Sequence, residues 1–260
     1  MASRVESSRT GAPVSRAPRA PPILSPAGRK AARQRMLLVR QGSLAHLGEL
    51  TGASLETLQR YRQDLTRTDL TDLLLGRGAG AAFLRELPQG VLLYLLVRAL
   101  APRQVVETGV RPGYSTAWLL AGLEANGFGE LTSLGPGSSA GRSAGVDNVS
   151  VGQFVPPPLR TRWSLVLGNT EERLRSVLAG VRGVDLFFYD NGPDPARARF
   201  ELRSAWEALS DRGVLLAHHV DANTAWRDIC ANQGLAPQIL DPGPPPLGGL
   251  AMRRRATGRR

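Results

Sequence analysis

The sequence predicts an α/β chain: a mainly parallel sheet with an antiparallel edge strand, preceded by a small helical cap. Three observations carry that expectation. From residue 89 onward, short apolar strands alternate with helix-length stretches, the pattern of right-handed strand-helix-strand crossovers. The first strand is followed by a turn bearing Gly109 and Gly113, which opens a helix. The last two strands are joined by a simple Pro/Gly loop, which adds antiparallel pairing at one edge.

Ahead of the sheet, the pattern predicts short helices over residues 31–73, within a cap spanning 31–88. Ser54 is placed to cap a helix beginning near Leu55, with Glu56 in its first turn. Leu55, Leu58, Tyr61 and Leu65 fall on one face of it. The phrase Leu47 to Ser54 before this helix also fits a helix-turn-helix. Arg60 and Arg62, however, are accompanied by Glu56 and Asp64, which favours a cap packed on the main domain.

The main domain is read as residues 89–254. Gln89 to Leu100 reads as an apolar helix, Gln104 to Glu107 as a buried strand, and Tyr114 to Ala125 as a helix. Glu130 to Leu134 and Arg162 to Leu167 are strands, and Glu171 to Leu178 is a helix. Val184 to Tyr189 is a strand, Pro195 to Leu209 a helix, Gly213 to Ala217 a strand and Thr224 to Asn232 a helix. Pro237 to Leu240 and Gly249 to Arg253 are the closing pair, making seven strands in all. Residues 135–161 are rich in Gly, Ser and Pro and too long for an ordinary connection, so they are expected to loop over the site. Ligands of such sheets bind beyond the carboxyl ends of the strands, where the strand order switches.

The chain has 260 residues, 42% of them hydrophobic, enough for a full core. The apolar run Val91 to Leu100 is broken by Arg98, which excludes a membrane span. The formal charge of +11 resides at the ends. Residues 1–40 carry nine basic groups against one acid, residues 252–260 carry five arginines and no acid, and the 211 residues between are net −2. Nucleic-acid binding is therefore expected only non-specifically, through arginine-rich tails. Residues 1–30 read as a disordered basic tail and 255–260 as a second one. The first lacks the apolar stretch of a secretory signal, and its prolines disfavour the amphipathic helix of a transit peptide. The single Cys230 excludes an internal disulfide framework, suits a cytoplasmic setting, and reads as a small buried apolar residue.

After the first strand runs Glu107-Thr108-Gly109-Val110-Arg111-Pro112-Gly113-Tyr114-Ser115-Thr116. Further phrases are Gly152 to Pro156 continuing to Trp163, Val184 to Asp190, Ala205 to Leu209, Gly213 to Ala217, Asn223 to Ile229 and Gly248 to Arg254. Over roughly residues 45–254 the chain resembles class I S-adenosylmethionine-dependent methyltransferases, in the branch with an E-x-G-V-x-x-G-x-S motif. The resemblance implies the Rossmann-like class I methyltransferase fold and S-adenosylmethionine as cofactor. Glu107, Gly109, Gly113, Tyr114, Ser115 and Asn169 would be its contacts, with Glu107 near its amino group. The acceptor implied is a small or glycosylated molecule methylated on oxygen or nitrogen, and a homo-oligomer is compatible.

The sequence departs from that family at several positions. Gly135 stands where an acid normally takes the ribose hydroxyls, and Asn169 where an acid contacts the adenine. Losing one charged hydrogen bond of this kind costs roughly 1.5–3 kcal/mol, about 10- to 100-fold in affinity. Strand four keeps its acid, Asp190, but continues Asn191-Gly192-Pro193 instead of the family's His- and Tyr-bearing phrase. Strand five ends in His218-His219 where an Asp-Asp or Asp-Asn pair is usual. One histidine can act as a general base, His219 or His218, oriented by Asp190. Asp190, His218 and His219 can instead hold a divalent metal, which imidazoles would bias from magnesium toward zinc or iron. Both would ligate only if the strand has ended, because neighbours on a strand face opposite ways. The third reading is structural, as packing groups at a strand end. The same departures admit a catalytically inactive methyltransferase-fold protein with a binding or regulatory role.

Overall fold

Short apolar runs form seven strands, which the computed structural model gathers into one sheet. It describes residues 24–67, 69–76, 81–136, 150–192, 194–221, 224–236, 238–242 and 246–252. The strands are β1 (Gln104–Thr108), β2 (Glu130–Gly135), β3 (Trp163–Leu167), β4 (Val184–Tyr189), β5 (Leu209–His218), β6 (Gln238–Asp241) and β7 (Leu247–Met252). Their order is β3-β2-β1-β4-β5-β7-β6. The chain steps outward from β1 to β3, then returns to lay β4 on the other flank of β1. The order therefore switches between β1 and β4. Pairing is parallel from β3 through β5. β7 runs antiparallel between β5 and β6, so the antiparallel pairing lies at the edge that the closing strands form.

Alternate strand residues feed two cores. Val105, Leu131, Leu186, Phe188, Val214 and Leu216 face one layer, and Val106, Leu134, Phe187, Tyr189, Leu215 and Ala217 face the other. The first layer is built on α5 (Ala81–Leu100) and α6 (Tyr114–Asn126), the second on α7 (Thr170–Gly180), α8 (Pro195–Ala208) and α9 (Thr224–Asn232). α5 and α6 touch through glycines: a Cβ at Gly90 would lie 2.2 Å from Trp118 Nε1, and one at Gly122 2.7 Å from Val97 Cβ. Trp118 and Tyr94 are among the largest buried side chains there.

α5 starts eight residues before the Gln89 read from sequence and runs through Pro88. A proline inside a helix forfeits one backbone hydrogen bond, so the pattern alone favours a start after it. β5 likewise begins at Leu209 instead of Gly213. Leu209 pairs with Val184 before an irregularity in the register, and Ser210 Oγ donates to Asp185 Oδ1 at 2.8 Å.

The cap consists of α1 (Pro26–Met36), α2 (Gln41–Thr51), α3 (Leu55–Arg67) and α4 (Asp69–Leu75). α1 begins inside the stretch read as a tail. Ser25 Oγ accepts from Gly28 N at 3.1 Å and Pro26 fits the first turn, so the helix has its own start signal. α2 covers the sheet edge: Ser43 Oγ donates to Leu240 O, and His46 Nδ1 lies 3.1 Å from Ile239 O. α3 packs on α5 through Leu58 and Leu65, whereas Leu55 is exposed. Arg62 of α3 donates to Leu37 O at 3.2 Å. No helix among the described residues is long and apolar enough to cross a membrane. Residues 1–23, 137–149 and 253–260, which hold most of the tails and much of the 135–161 loop, lie outside the described residues.

Candidate active site

The carboxyl ends of β1 and β4, on either side of the switch point, carry the glycine loop and Asp190. The loop leaves β1 through Gly109 and enters α6 through Gly113, both at φ +93°. A Cβ at Gly109 would stand 2.2 Å from the Asp190 carbonyl oxygen, and one at Gly113 2.8 Å from Val155 Cγ2. Close packing and a left-handed backbone therefore dictate both glycines. Gly109 N and Val110 N donate to Leu134 O at 3.0 and 3.2 Å, fixing the loop to β2. The described end of the 135–161 segment lies over it. Gly152 N donates to Arg111 O and Phe154 N to Pro112 O, each at 2.9 Å. Tyr114 and Phe154 stack with ring centres 4.4 Å apart. Burial, with Glu86 nearby, pushes the Tyr114 phenol up to about 12, so it stays neutral. Gly113 stands at the N-cap of α6, so no side chain caps that helix.

Glu107 lies near the carboxyl end of β1. It is fully buried and accepts hydrogen bonds from Ser115 Oγ (2.6 Å), Thr116 Oγ1 (2.7 Å) and Ser133 Oγ (2.6 Å). Ser133 Oγ in turn accepts from Trp163 Nε1 at 3.0 Å. The carboxylate thus braces the loop from behind, tying β1, β2, β3 and α6 together. Burial raises its pKa, and the three hydroxyl bonds only partly offset this. The folded chain therefore holds a proton that the unfolded chain releases near 4.5. Stability is expected to fall as pH rises from that value through the folded-state pKa. Urea unfolding followed across that range should show this slope in the wild type and a shallower one in Glu107→Gln.

At the ends of β4 and β5, His218 Nδ1 lies 2.8 Å from Asp190 Oδ1, and His218 Nε2 lies 3.1 Å from Gln89 Oε1 of α5. Asp190 is buried, and Arg111 Nη2 approaches its Oδ1 at 3.6 Å from a half-exposed position. Burial works to lower the His218 pKa, but the Asp190 charge and hydrogen bond outweigh it and leave the value raised. β5 ends at His218, and His219 adopts φ +55°. This left-handed residue turns both rings to one side, with centres 5.0 Å apart. Such a conformation costs a β-carbon residue on the order of 1–3 kcal/mol, and such strain clusters at functional sites. The His219 ring makes no hydrogen bond among the described residues, and burial plus the His218 charge lower its pKa. One ligand atom from each of Asp190, His218 and His219 lies within 4.8 Å of the others.

The turn after Asp190 is held from beneath. Asn191 Nδ2 donates to Glu201 Oε1 at 2.8 Å, and Tyr189 Oη donates to Gly192 O at 2.7 Å. Gly135 and Asn169 offer no carboxylate at the β2 and β3 ends. A Cβ on Gly135 would meet Val110 Cγ1 at 2.8 Å, so that position is filled by packing. Asn169 Oδ1 accepts from Glu171 N (2.9 Å) and Glu172 N (3.4 Å), capping α7 and leaving only its amide NH2 for a ligand. Asn169→Ala should cost about 1 kcal/mol of stability in a urea titration. Cys230 is buried, and burial pushes its thiol up to about 11, so it is unreactive.

Sequence reasoning missed Gln89 and Arg111. Gln89 is the polar residue at the start of an apolar run, its partner 129 positions away. Arg111 stands inside the glycine phrase, where its nearness to Asp190 becomes visible only once β1 and β4 are paired. A separate groove, lined by Glu49, Gly52, Ala101, Arg103, Asp185 and Arg212 among others, lies at the amino ends of the strands.

Residues 106–220 match the profile of a family described as a methyltransferase domain. By structure, the chain is similar to a putative O-methyltransferase from Klebsiella pneumoniae. The two are 20% identical with a TM-score of 0.50, over 85% of this chain and 93% of that one. It is also similar to the O-methyltransferase TomG from Streptomyces achromogenes, which is involved in tomaymycin synthesis and was solved with SAM. There the identity is 18% and the TM-score 0.49, over 85% and 94% of the two chains. An O-methyltransferase from Bacillus cereus in complex with SAH gives 17% identity and a TM-score of 0.47, over 79% and 94%. No curated protein matches the chain by sequence. The first likeness agrees with the strand order in assigning the Rossmann-like methyltransferase fold.

Proposed function

We propose that this chain is an S-adenosylmethionine-dependent methyltransferase acting on an oxygen or nitrogen of a small-molecule or glycosylated acceptor. The observation that carries the reading is the contact between Gly109 and the Asp190 backbone. It sets a glycine loop and a histidine-carboxylate cluster side by side at the switch point. The amino-acid half of the cofactor suits this site. The amino end of α6, which no side chain caps, and the Gly109–Gly113 loop would receive its carboxylate, with Tyr114 and Ser115 at its edge. The nucleoside half finds less, since Gly135 has no side chain and Asn169 offers only an amide donor.

When bound, S-adenosylmethionine supplies a methyl group on a positively charged sulfur. The protein's own part is chiefly to position the acceptor, which can lower a barrier by several kcal/mol. His219, whose ring is free of hydrogen bonds among the described residues, would take the acceptor proton. Asp190 would hold His218 beside it, and Gln89 of α5 would fix the His218 ring from its other nitrogen. The test is release of S-adenosylhomocysteine during incubation with S-adenosylmethionine and panels of phenols, sugars and amines. Acceptor-dependent release supports the reading. A second reading, a non-catalytic protein on this fold, draws on the filled space at Gly135 and the occupied Asn169 oxygen. It expects no release with any acceptor class.

A further inference from the structure

Two imidazoles and one carboxylate meet at the end of β5, and their contacts point to a cation. His218 Nε2 faces the carbonyl oxygen of Gln89 at 3.1 Å, a contact that is a hydrogen bond in the form carrying hydrogen on Nε2. Neutral His218 would then turn the lone pair of Nδ1 toward Asp190 Oδ1, 2.8 Å away. Two acceptors cannot face each other at that distance unless a proton or a metal cation stands with them. An outer N–H held by a carbonyl, with the inner nitrogen aimed at a shared centre, is how ligating histidines are commonly fixed. His219 supplies a second ring on the same side with no competing hydrogen bond among the described residues.

Magnesium does not suit this donor set. It favours an octahedron of oxygens, whereas two imidazoles and a carboxylate suit borderline transition metals. We propose that Asp190, His218 and His219 form a binding site for one divalent transition-metal ion of the zinc–cobalt–nickel class. Ligands about 2.0–2.1 Å from a tetrahedral metal stand about 3.4 Å apart, so separations of up to 4.8 Å close by small ring rotations. Arg111, half-exposed at 3.6 Å from Asp190, has room to swing aside. Three protein ligands leave a coordination position open, where an acceptor oxygen would be bound and acidified. With the site filled, His219 would serve as a ligand and the acceptor proton would pass to water. This consequence rests on the methyl-transfer reading; the metal site itself does not.

The experiment uses the full chain stripped of metals with EDTA. Cobalt(II) chloride is titrated in while visible ligand-field absorption is recorded, then zinc and magnesium chlorides are added as competitors. The expected result is one cobalt per chain at micromolar or tighter Kd, displaced by one equivalent of zinc and not by millimolar magnesium. Asp190→Asn and His219→Gly should each weaken cobalt binding at least 10-fold, and Gln89→Leu should weaken it less. His219→Gly keeps its left-handed backbone without strain, so it decides the matter if Asp190→Asn folds poorly. Absence of a cobalt band, displacement by magnesium, or unchanged binding in His219→Gly overturns the proposal. S-adenosylmethionine binding, measured on the metal-free chain, reports separately on methyl transfer.

Discussion

Trp118→Ala is expected to destabilise the protein by about 3–5 kcal/mol, the usual cost of emptying a large aromatic site in a packed core. Trp118 is 2% exposed and lies directly over Gly90, where even a methyl group would collide with its indole. The α5–α6 interface has therefore been shaped around this one side chain. Because domains of this size are stable by only about 5–15 kcal/mol, the variant should approach the threshold of unfolding. Thermal unfolding should show a midpoint lowered by roughly 10 °C. A loss under 1 kcal/mol would mean that the two helices collapse onto the vacated space, contrary to the tight fit seen at Gly90 and Gly122.

His219→Gly should lower kcat/KM for methyl transfer by about 10²–10⁴-fold, the range general bases contribute. The substitution is suited to the question because His219 sits at φ +55°, which glycine adopts freely. Stability should hold or improve slightly, so a loss of activity would not reflect a loss of fold. Affinity for S-adenosylmethionine should change little, since the proposed cofactor loop follows β1 and not β5. Activity unchanged in this variant would remove His219 from the chemistry and leave acceptor positioning as the whole of the catalysis.

The parallel sheet was legible because its strands are apolar on both faces, and each is separated from the next by turn residues. Val184 to Tyr189 and Thr224 to Asn232 have in the structure the bounds that the pattern predicts. Pro195 was a readable helix start, and Asp194 before it does cap α8. The early start of α5 was hidden by Pro88, whose local effect is unfavourable but is outweighed by a helix buried from Val91 to Val97. The glycine loop was readable as a tight strand-to-helix turn, but its brace was not. Glu107 carries the acid the motif needs, yet its three hydroxyl partners come from β2 and α6, and only the assembled sheet brings them together. The His218-His219 pair could be seen, while its geometry could not. Two adjacent residues share a face only because the strand stops between them, a fact stored in one backbone angle. Gln89 was invisible for a related reason: a glutamine at the start of an apolar helix has no local sign of its partner.

The central claim is that the switch-point loop binds S-adenosylmethionine. Its most direct test is calorimetric titration of S-adenosylmethionine into the metal-free full chain, with Gly109→Ala as the loop variant. One cofactor per chain is expected to bind at micromolar Kd. Affinity should fall at least 10-fold in Gly109→Ala, whose new methyl group would press on the Asp190 carbonyl. A folded wild-type chain that releases no heat and shows no binding would contradict the account and leave the non-catalytic reading in its place.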